Sequence, residues 1–431
     1  MSSAPGQTVA DPRTRRSLVA GTVGNFVEWY EFGAYGFFAT VIAANFFSST
    51  STSDAESLIK TYASFALAFF FRPIGAAVFG RVGDRIGRRP TLILVLLLMT
   101  LSTTLIGLLP TYATVGAAAP WLLTLVRALQ GLSAGGEFGG AVSIMTEFAP
   151  KTKRGLYGAW QSFTVALGLL AGAGLAAILA TVLSKEALTD WGWRVPFLLA
   201  LPLGLVALWL RLRLDETPNF ARVQQEEPRP AGAGEVAKAI ALGIGRLMGW
   251  SAAGYTFLVV MPSYLQATLN ATFQQALVAT VLANAGFAAA ILPAGRLSDR
   301  IGRRPVMVTG AALVVVLAFP LMNLLQDKES GTAVKGAAVF VAGLVVGLMA
   351  GPGPAMLAEM FPTRARYTGL GLAYSLSNAV FSGCAGLIIT ELIKRTKNID
   401  IPAYYVAVTC AVSVVALLTL RGDDHRRELR D

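Results

Sequence analysis

Apolar runs recur along this chain at about 19–47, 58–80, 91–110, 119–149, 155–182, 193–210, 240–269, 273–294, 306–325, 335–358, 368–393 and 402–420. A membrane-crossing helix needs about 20 apolar residues, so the pattern predicts twelve spanning helices joined by short polar connections. The first run follows a polar stretch and has no small-residue cleavage site after it, which reads as a retained span and not a signal peptide. The longest connection, 211–238, contains Glu226-Glu227-Pro228-Arg229-Pro230 and then Ala231-Gly232-Ala233-Gly234, the composition of a linker. The expected organisation is a tail at 1–17, a six-helix bundle at 18–210, the linker 211–238, a second bundle at 239–420 and a tail at 421–431.

Composition agrees with that pattern and removes several kinds of chemistry. The 431 residues are 54% hydrophobic and 14% charged, against about 25% charged in an ordinary soluble domain, which excludes a soluble globular fold. The single histidine, His425, lies in a charged tail, and Cys384 and Cys410 each sit inside an apolar run. No His/Cys set exists for a structural metal, no Ser-His-Asp or Cys-His arrangement is available, and no GxGxxG pattern occurs. We therefore expect no enzyme activity, no cofactor and no metal. The net charge of +11 is arranged for a bilayer and not for nucleic acid. With the N-terminus inside, 25 Lys and Arg fall in the inner loops and tails and 8 in the outer loops. By the positive-inside rule both termini face the cytoplasm of a plasma (inner) membrane.

The chain also repeats itself. GRVGDRIGRRP begins at Gly80 and GRLSDRIGRRP at Gly295, nine identities in eleven at an offset of 215; Glu147, Pro150 and Arg154 match Glu359, Pro362 and Arg366 at an offset of 212. Two signals at nearly one offset imply two homologous halves related by an axis along the membrane normal, with a substrate site between them near the midplane. The repeated motif resembles the signature of the major facilitator superfamily. GNFVEWYEFGAYGF (24–37), FRPIGAAVFG (71–80), RALQGLSAGGEFGGA (127–141), DWGWRVPFLLALPLG (190–204), LDETPNF (214–220) and EMFPTRARYTG (359–369) resemble, more narrowly, its metabolite:proton symporter family. That resemblance covers most of 18–420 and implies an all-α fold of twelve transmembrane helices in two pseudo-symmetric six-helix bundles. It also implies proton-coupled uptake of a small polar metabolite, the family's substrates including 2-oxoglutarate, citrate, shikimate, proline and betaine. Two departures matter: Glu31 stands where the family usually has aspartate, and only Arg421 to Asp431 follow the last helix, where the proline/betaine members carry a coiled-coil extension. Osmotic gating by such an extension is not expected.

Charges inside a membrane cost about 2.5–3.5 kcal/mol each on insertion scales and usually mark ion or substrate paths. Glu28, Glu31, Arg72, Arg127 and Glu137 are the set that falls inside spans, while Arg246 reads as an interfacial anchor snorkelling to the headgroups. Glu28 and Glu31, three apart, share a helix face. At about 1.5 Å per residue, Glu31 lies roughly 20 Å from the inner edge and Arg127 roughly 12 Å from the outer edge, a similar depth. Glu31 is thus the expected proton carrier, modulated by Glu28 and switched by Arg127, an arrangement that also looks like that of proton-coupled sugar transporters in the superfamily. The competing reading is a permanent ion pair that fixes helix packing.

Arg72 offers a bidentate fork for a substrate carboxylate, or serves a gate. Glu137, between glycine pairs, either faces the cavity or belongs to a buried pair. Asn25, Tyr30, Tyr35, Gln130, Gln161, Tyr255, Tyr374, Ser377 and Asn378 are polar and aromatic candidates for the rest of the site. In the repeated motifs, Asp84, Arg85, Arg88, Asp299, Arg300 and Arg303 are expected to form a conformational latch, each aspartate accepting from a neighbouring helix's N-terminal N–H groups and pairing with the arginine four residues on.

These features lead to a proton-coupled symporter that functions as a monomer, moving a small carboxylate-bearing metabolite such as 2-oxoglutarate or citrate by alternating access. Its alternative is uptake of a zwitterionic osmolyte such as proline or betaine. A drug:proton antiporter fits less well because 168–174 read Gly-Leu-Leu-Ala-Gly-Ala-Gly, without the GP motif of such exporters. A non-transporting membrane receptor is more remote still, since neither 211–238 nor 421–431 is long enough for a signalling module.

Overall fold

A computed structural model describes residues 12–48, 53–86, 88–147, 149–212, 233–361 and 363–421. Among the described residues the regular elements are all helical and form twelve rods. In the first half α1 is Pro12–Phe37, continued by Ala39–Ile42 and a π-helical turn Ala43–Phe47; α2 is Asp54–Ile86 and α3 Arg88–Leu108. Then come α4, in two pieces Ala118–Ala134 and Glu137–Glu147, α5 (Arg154–Val182) and α6 (Val195–Leu212). In the second half α7 is Ala233–Tyr255, a π turn Thr256–Val260 and Met261–Ala267; α8 is Phe273–Ile301 and α9 Arg303–Gln326. The rest are α10 (Thr332–Ala350 and Gly353–Met360), α11 (Thr363–Ser377, a π turn Asn378–Gly383, Ala385–Thr396) and α12 (Ile401–Leu418). Most of the expected linker, 213–232, and all of the C-terminal tail except Arg421 lie outside the described residues.

Nine of these rods are long and apolar enough to cross a membrane by length and composition alone. The other three are α1, α4 and α7, and each is interrupted. α4 breaks at Gly135-Gly136. α7 is interrupted because Pro262 has no N–H to give to Leu258 four residues back. That carbonyl is taken instead by the Asn284 amide of α8 at 3.2 Å. The π turn of α11 is compensated likewise, Tyr405 donating to the Phe381 carbonyl at 2.8 Å. Backbone off the regular ladder at membrane depth is tolerated only where the protein supplies partners of this kind.

The elements differ from the expected boundaries mainly at the repeated motifs. The stretch from Gly295 was expected as a loop, but α8 stays helical through Ile301 and ends at Gly302, whose φ of 99° is open to glycine. α1 likewise begins at Pro12, inside the expected tail. The halves meet chiefly along two helix pairs, α5 with α8 and α2 with α11; α10 also packs on α5, α4 on α11, and the π turn of α7 touches α1. We call the side where α1 begins, α8 ends and α12 ends the motif face.

Within the first half, α2 and α4 cross so closely that a Cβ on Gly131 would overlap the Ala68 carbonyl oxygen, and one on Gly135 that of Arg72. Small residues at such crossings let backbones approach when no hydrophobic drive exists between helices in lipid. Gly131→Leu is accordingly expected to abolish recovery of folded protein in detergent, read by size-exclusion yield, because overlap with backbone cannot be relieved by a rotamer change. Wild-type yield and melting temperature would refute this packing.

Candidate functional site

A small cavity of about 30 Å³ lies where the halves meet, walled by Trp29 of α1, Leu169 of α5, Trp250 and Tyr255 of α7, and Tyr374 and Asn378 of α11. The Trp29 and Tyr255 rings are 6.1 Å apart, as are those of Trp250 and Tyr374. Towards the motif face it is closed by Phe138, stacked on Tyr374 with centroids 3.4 Å apart and planes 6° from parallel. Towards the other face Val259 packs on Gly36, and Tyr62 shares a 2.6 Å hydrogen bond with Ser263. Beyond that closure a vestibule of about 840 Å³ opens, lined by Ser263, Val260, Ala43 and Ser57 among others. The conformation is occluded at the centre, with a vestibule on the side away from the motif face.

Beside the cavity lies a buried charged cluster. Arg72 Nη2 is 3.0 Å from Glu28 Oε1, and both side chains are about 2% exposed. The Arg72 guanidinium lies over the rings of Phe32 and Phe69 at 4.3 and 4.4 Å, with Trp29, itself a wall of the cavity, at 5.5 Å. Glu137 pairs with Arg211 at the end of α6, which also donates to the Leu92 carbonyl at 2.7 Å. A buried pair is retained when each charge is matched and hydrogen-bonded, and breaking one by removing a partner typically costs about 3–5 kcal/mol.

Arg127 is different. Its guanidinium lies 4.1 Å over Tyr35, 4.9 Å over Phe65 and 5.1 Å over Phe32, and its Nε and Nη2 have no hydrogen-bond partner among the described residues. The direct Glu31–Arg127 pair expected from depth is not what forms. Arg127 Nη1 donates to Gln130 Oε1, Gln130 Nε2 to Thr103 Oγ1 at 2.7 Å, and Thr103 Oγ1 to Glu31 Oε2 at 2.7 Å. Glu31 Oε1 is buried without a partner among the described residues. Two polar side chains, Gln130 and Thr103, stand between Arg127 and Glu31.

The remaining candidates divide. Tyr255, Tyr374 and Asn378 line the cavity, Asn378 holding its position by donating to the Tyr374 carbonyl and accepting from Ser382. Ser377 meets Ser251, another wall residue, at 3.2 Å. Tyr35 lies under Arg127 and bonds Ser64 at 2.9 Å. Four other candidates do not line the cavity and are held by neighbouring helices: Tyr30 donates to the Pro196 carbonyl at 2.8 Å, Asn25 and Gln161 are tied to one another across α1 and α5, and Glu137 is held by Arg211. Arg246 does not snorkel; it is 7% exposed and donates to Thr419, which caps the end of α12, at 2.9 Å. Sequence reasoning missed Trp29, Trp250 and Thr103. The tryptophans read as ordinary apolar residues, whereas the run Ser102-Thr103-Thr104 in an otherwise apolar helix was a visible signal.

On the motif face, Asp299 accepts from the backbone N–H groups of Gly155 and Leu156 at 2.7 and 2.9 Å, in the first turn of α5, and from Arg303 at 2.8 Å. Arg303 also grips Glu359 at 2.9 Å, and Glu359 lies 3.6 Å from Arg154 of the other half. The contact is close because a Cβ on Gly155 would fall 2.6 Å from the Gly295 carbonyl oxygen. Arg300 is exposed. The side chains of Asp84, Arg85 and Arg88 lie outside the described residues.

This architecture, two six-helix halves around a central cavity, is that of an alternating-access transporter. Residues 17–239 match the family described as "Sugar (and other) transporter" and residues 243–431 the "Major Facilitator Superfamily". The "Proline/betaine transporter" of Escherichia coli (strain K12) is 32% identical over 97% of this chain and 85% of its own length. The "Ectoine/proline transporter ProP" of Corynebacterium glutamicum is 35% identical over 95% of this chain and 84% of its own. The solved structure of the proton:xylose symporter XylE bound to 6-bromo-6-deoxy-D-glucose superposes with a TM-score of 0.79 at 18% identity, covering 94% of each chain, a likeness of fold. The chain belongs to the major facilitator superfamily. It is a multi-pass membrane transporter of small molecules and not an enzyme.

Proposed function

We propose that this transporter takes up a small zwitterionic osmolyte of the proline/betaine type together with a proton. The organic-acid reading that the sequence alone favours, a carboxylate-bearing metabolite such as 2-oxoglutarate or citrate, gives way to its alternative for two reasons. The relatives described above carry proline, betaine and ectoine in their names. More specifically, Arg72 is matched by Glu28 and Arg211 by Glu137, so Arg127 is the one arginine of the cluster without a carboxylate among the described residues. That single cation lies over Phe65, whose ring is 6.1 Å from that of Tyr255 in the wall of a cavity that Trp29, Trp250 and Tyr374 also line, and this is the observation that carries the reading. One carboxylate suits Arg127, and an alkylammonium suits aromatic faces, where a desolvated cation–π contact is worth about 2 kcal/mol. A dicarboxylate would bring a second anion with no cation left for it.

In this reading the membrane is the plasma membrane and the motif face is cytoplasmic, as the distribution of Lys and Arg supports. The unit in the bilayer is a monomer, Glu31 carries the proton, and Asp299 with Arg303 latches the cytoplasmic side. The test is uptake into liposomes under an inward proton gradient, with and without a protonophore, using labelled proline, glycine betaine and 2-oxoglutarate. Protonophore-sensitive accumulation of proline or betaine is the expected result; accumulation of 2-oxoglutarate alone would overturn it.

A further inference from the structure

The hydrogen bonds between Arg127 and Glu31 all point one way. Arg127 donates a hydrogen bond to Gln130, Gln130 to Thr103, and Thr103 to Glu31. Gln130 and Thr103 are fully buried and span α4 and α3, and Thr103 reaches Glu31 on α1 across 72 positions of sequence. Both free ends of this chain are unpartnered among the described residues: Arg127 Nε and Nη2 at one, Glu31 Oε1 at the other. We propose that Gln130 and Thr103 are coupling residues, a relay through which a substrate carboxylate seated on Arg127 and a proton on Glu31 favour one another's binding. This rests on the proton-coupled reading above and adds the physical route of the coupling.

The argument is electrostatic. With Glu31 ionised, the relay joins a cation to an anion and the buried charges balance. Protonation of Glu31 leaves Arg127 as uncompensated positive charge in a region of low dielectric, where aligned hydrogen bonds also polarise one another. A substrate carboxylate on the free N–H groups of Arg127 restores the balance. Proton and substrate together are therefore favoured over either alone, and by linkage each raises the affinity for the other by the same factor, typically about 5- to 150-fold. The other ionisable groups facing Glu31 are Glu28 and Tyr30 on α1 itself. Arg72 on α2 is engaged by Glu28, Glu137 on α4 by Arg211 on α6, and α3 carries no ionisable side chain between 92 and 108. The relay is thus the connection from Glu31 to a cation not already matched by an acid.

Thr103→Val removes the hydroxyl and keeps the shape, and Gln130→Met cuts the middle link; neither residue touches the substrate cavity. In liposomes, labelled proline exchange at equal pH should stay within about threefold of wild type in Thr103→Val, while accumulation under a one-unit pH gradient, at most about tenfold per proton, collapses towards one in both variants. The pH dependence of the half-saturating proline concentration should flatten, and Thr103→Ser should restore it. A Thr103→Val protein with wild-type accumulation and pH profile overturns the proposal. So does Gln130→Met with wild-type coupling should Thr103→Val fail to fold. If the wild type itself shows no pH dependence, it is the proton-coupled reading that falls, which separates the two failures.

Discussion

Glu31→Gln should abolish gradient-driven accumulation of proline or betaine and leave exchange at equal pH within a few-fold of wild type. Glutamine keeps the length of the side chain and an oxygen that accepts from Thr103, whose hydroxyl lies 2.7 Å from Glu31 Oε2, but it neither gains nor loses a proton. A gradient of one pH unit stores about 1.4 kcal/mol per proton, so the driven component, about tenfold, is the quantity lost. Glu28→Gln should behave otherwise. It leaves the Arg72 guanidinium among Phe32, Phe69 and Trp29 without its acid, and removing one partner of a buried pair costs about 3–5 kcal/mol. Its expected signature is loss of folded protein, read by melting temperature. Retained proton-driven accumulation in Glu31→Gln would remove the proton from this residue, and an unaltered Glu28→Gln protein would make the Arg72 pair dispensable.

How far such a site can be read from sequence depends on what each residue's position encodes. Twelve apolar runs and a motif repeated at Gly80 and Gly295 predict the two halves, because apolar length and internal homology are local properties of the chain. The five intramembrane charges were visible for the same reason. Their pairing was not: Arg72 and Glu28, or Glu137 and Arg211, meet through helix rotation and crossing that no single span records. Counting rise along a helix brings Glu31 and Arg127 together as candidates, yet it cannot show that Gln130 and Thr103 stand between them. The breaks in α7 and α11 follow a similar division. Pro262 announces the first in sequence, whereas the Asn284 and Tyr405 groups that make both breaks tolerable come from other helices.

Asp299→Asn should open the motif face. The native carboxylate accepts from two backbone N–H groups at the start of α5 and from Arg303, at 2.7, 2.9 and 2.8 Å. Asparagine has one acceptor oxygen for these three donors and no charge to set against the positive end of a 29-residue helix. Hydrogen bonds to a charged group are worth about 1.5–3 kcal/mol, which corresponds to a shift of roughly 10- to 150-fold between closed and open populations. Because the contact joins α8 to α5 across the halves, its loss acts on their relative position more than on the packing within either bundle. Glu359 still holds Arg303 within the second half. Spin labels at the exposed positions Lys153 and Arg300, in a background with Cys384 and Cys410 replaced by serine, would report the separation across this face. A distance distribution moved to longer values with a nearly unchanged melting temperature is the expected result. A lowered melting temperature with unchanged distances would make Asp299 a residue of fold stability, and the closure of this face would then rest on the Gly155–Gly295 crossing and the stack of Phe138 on Tyr374.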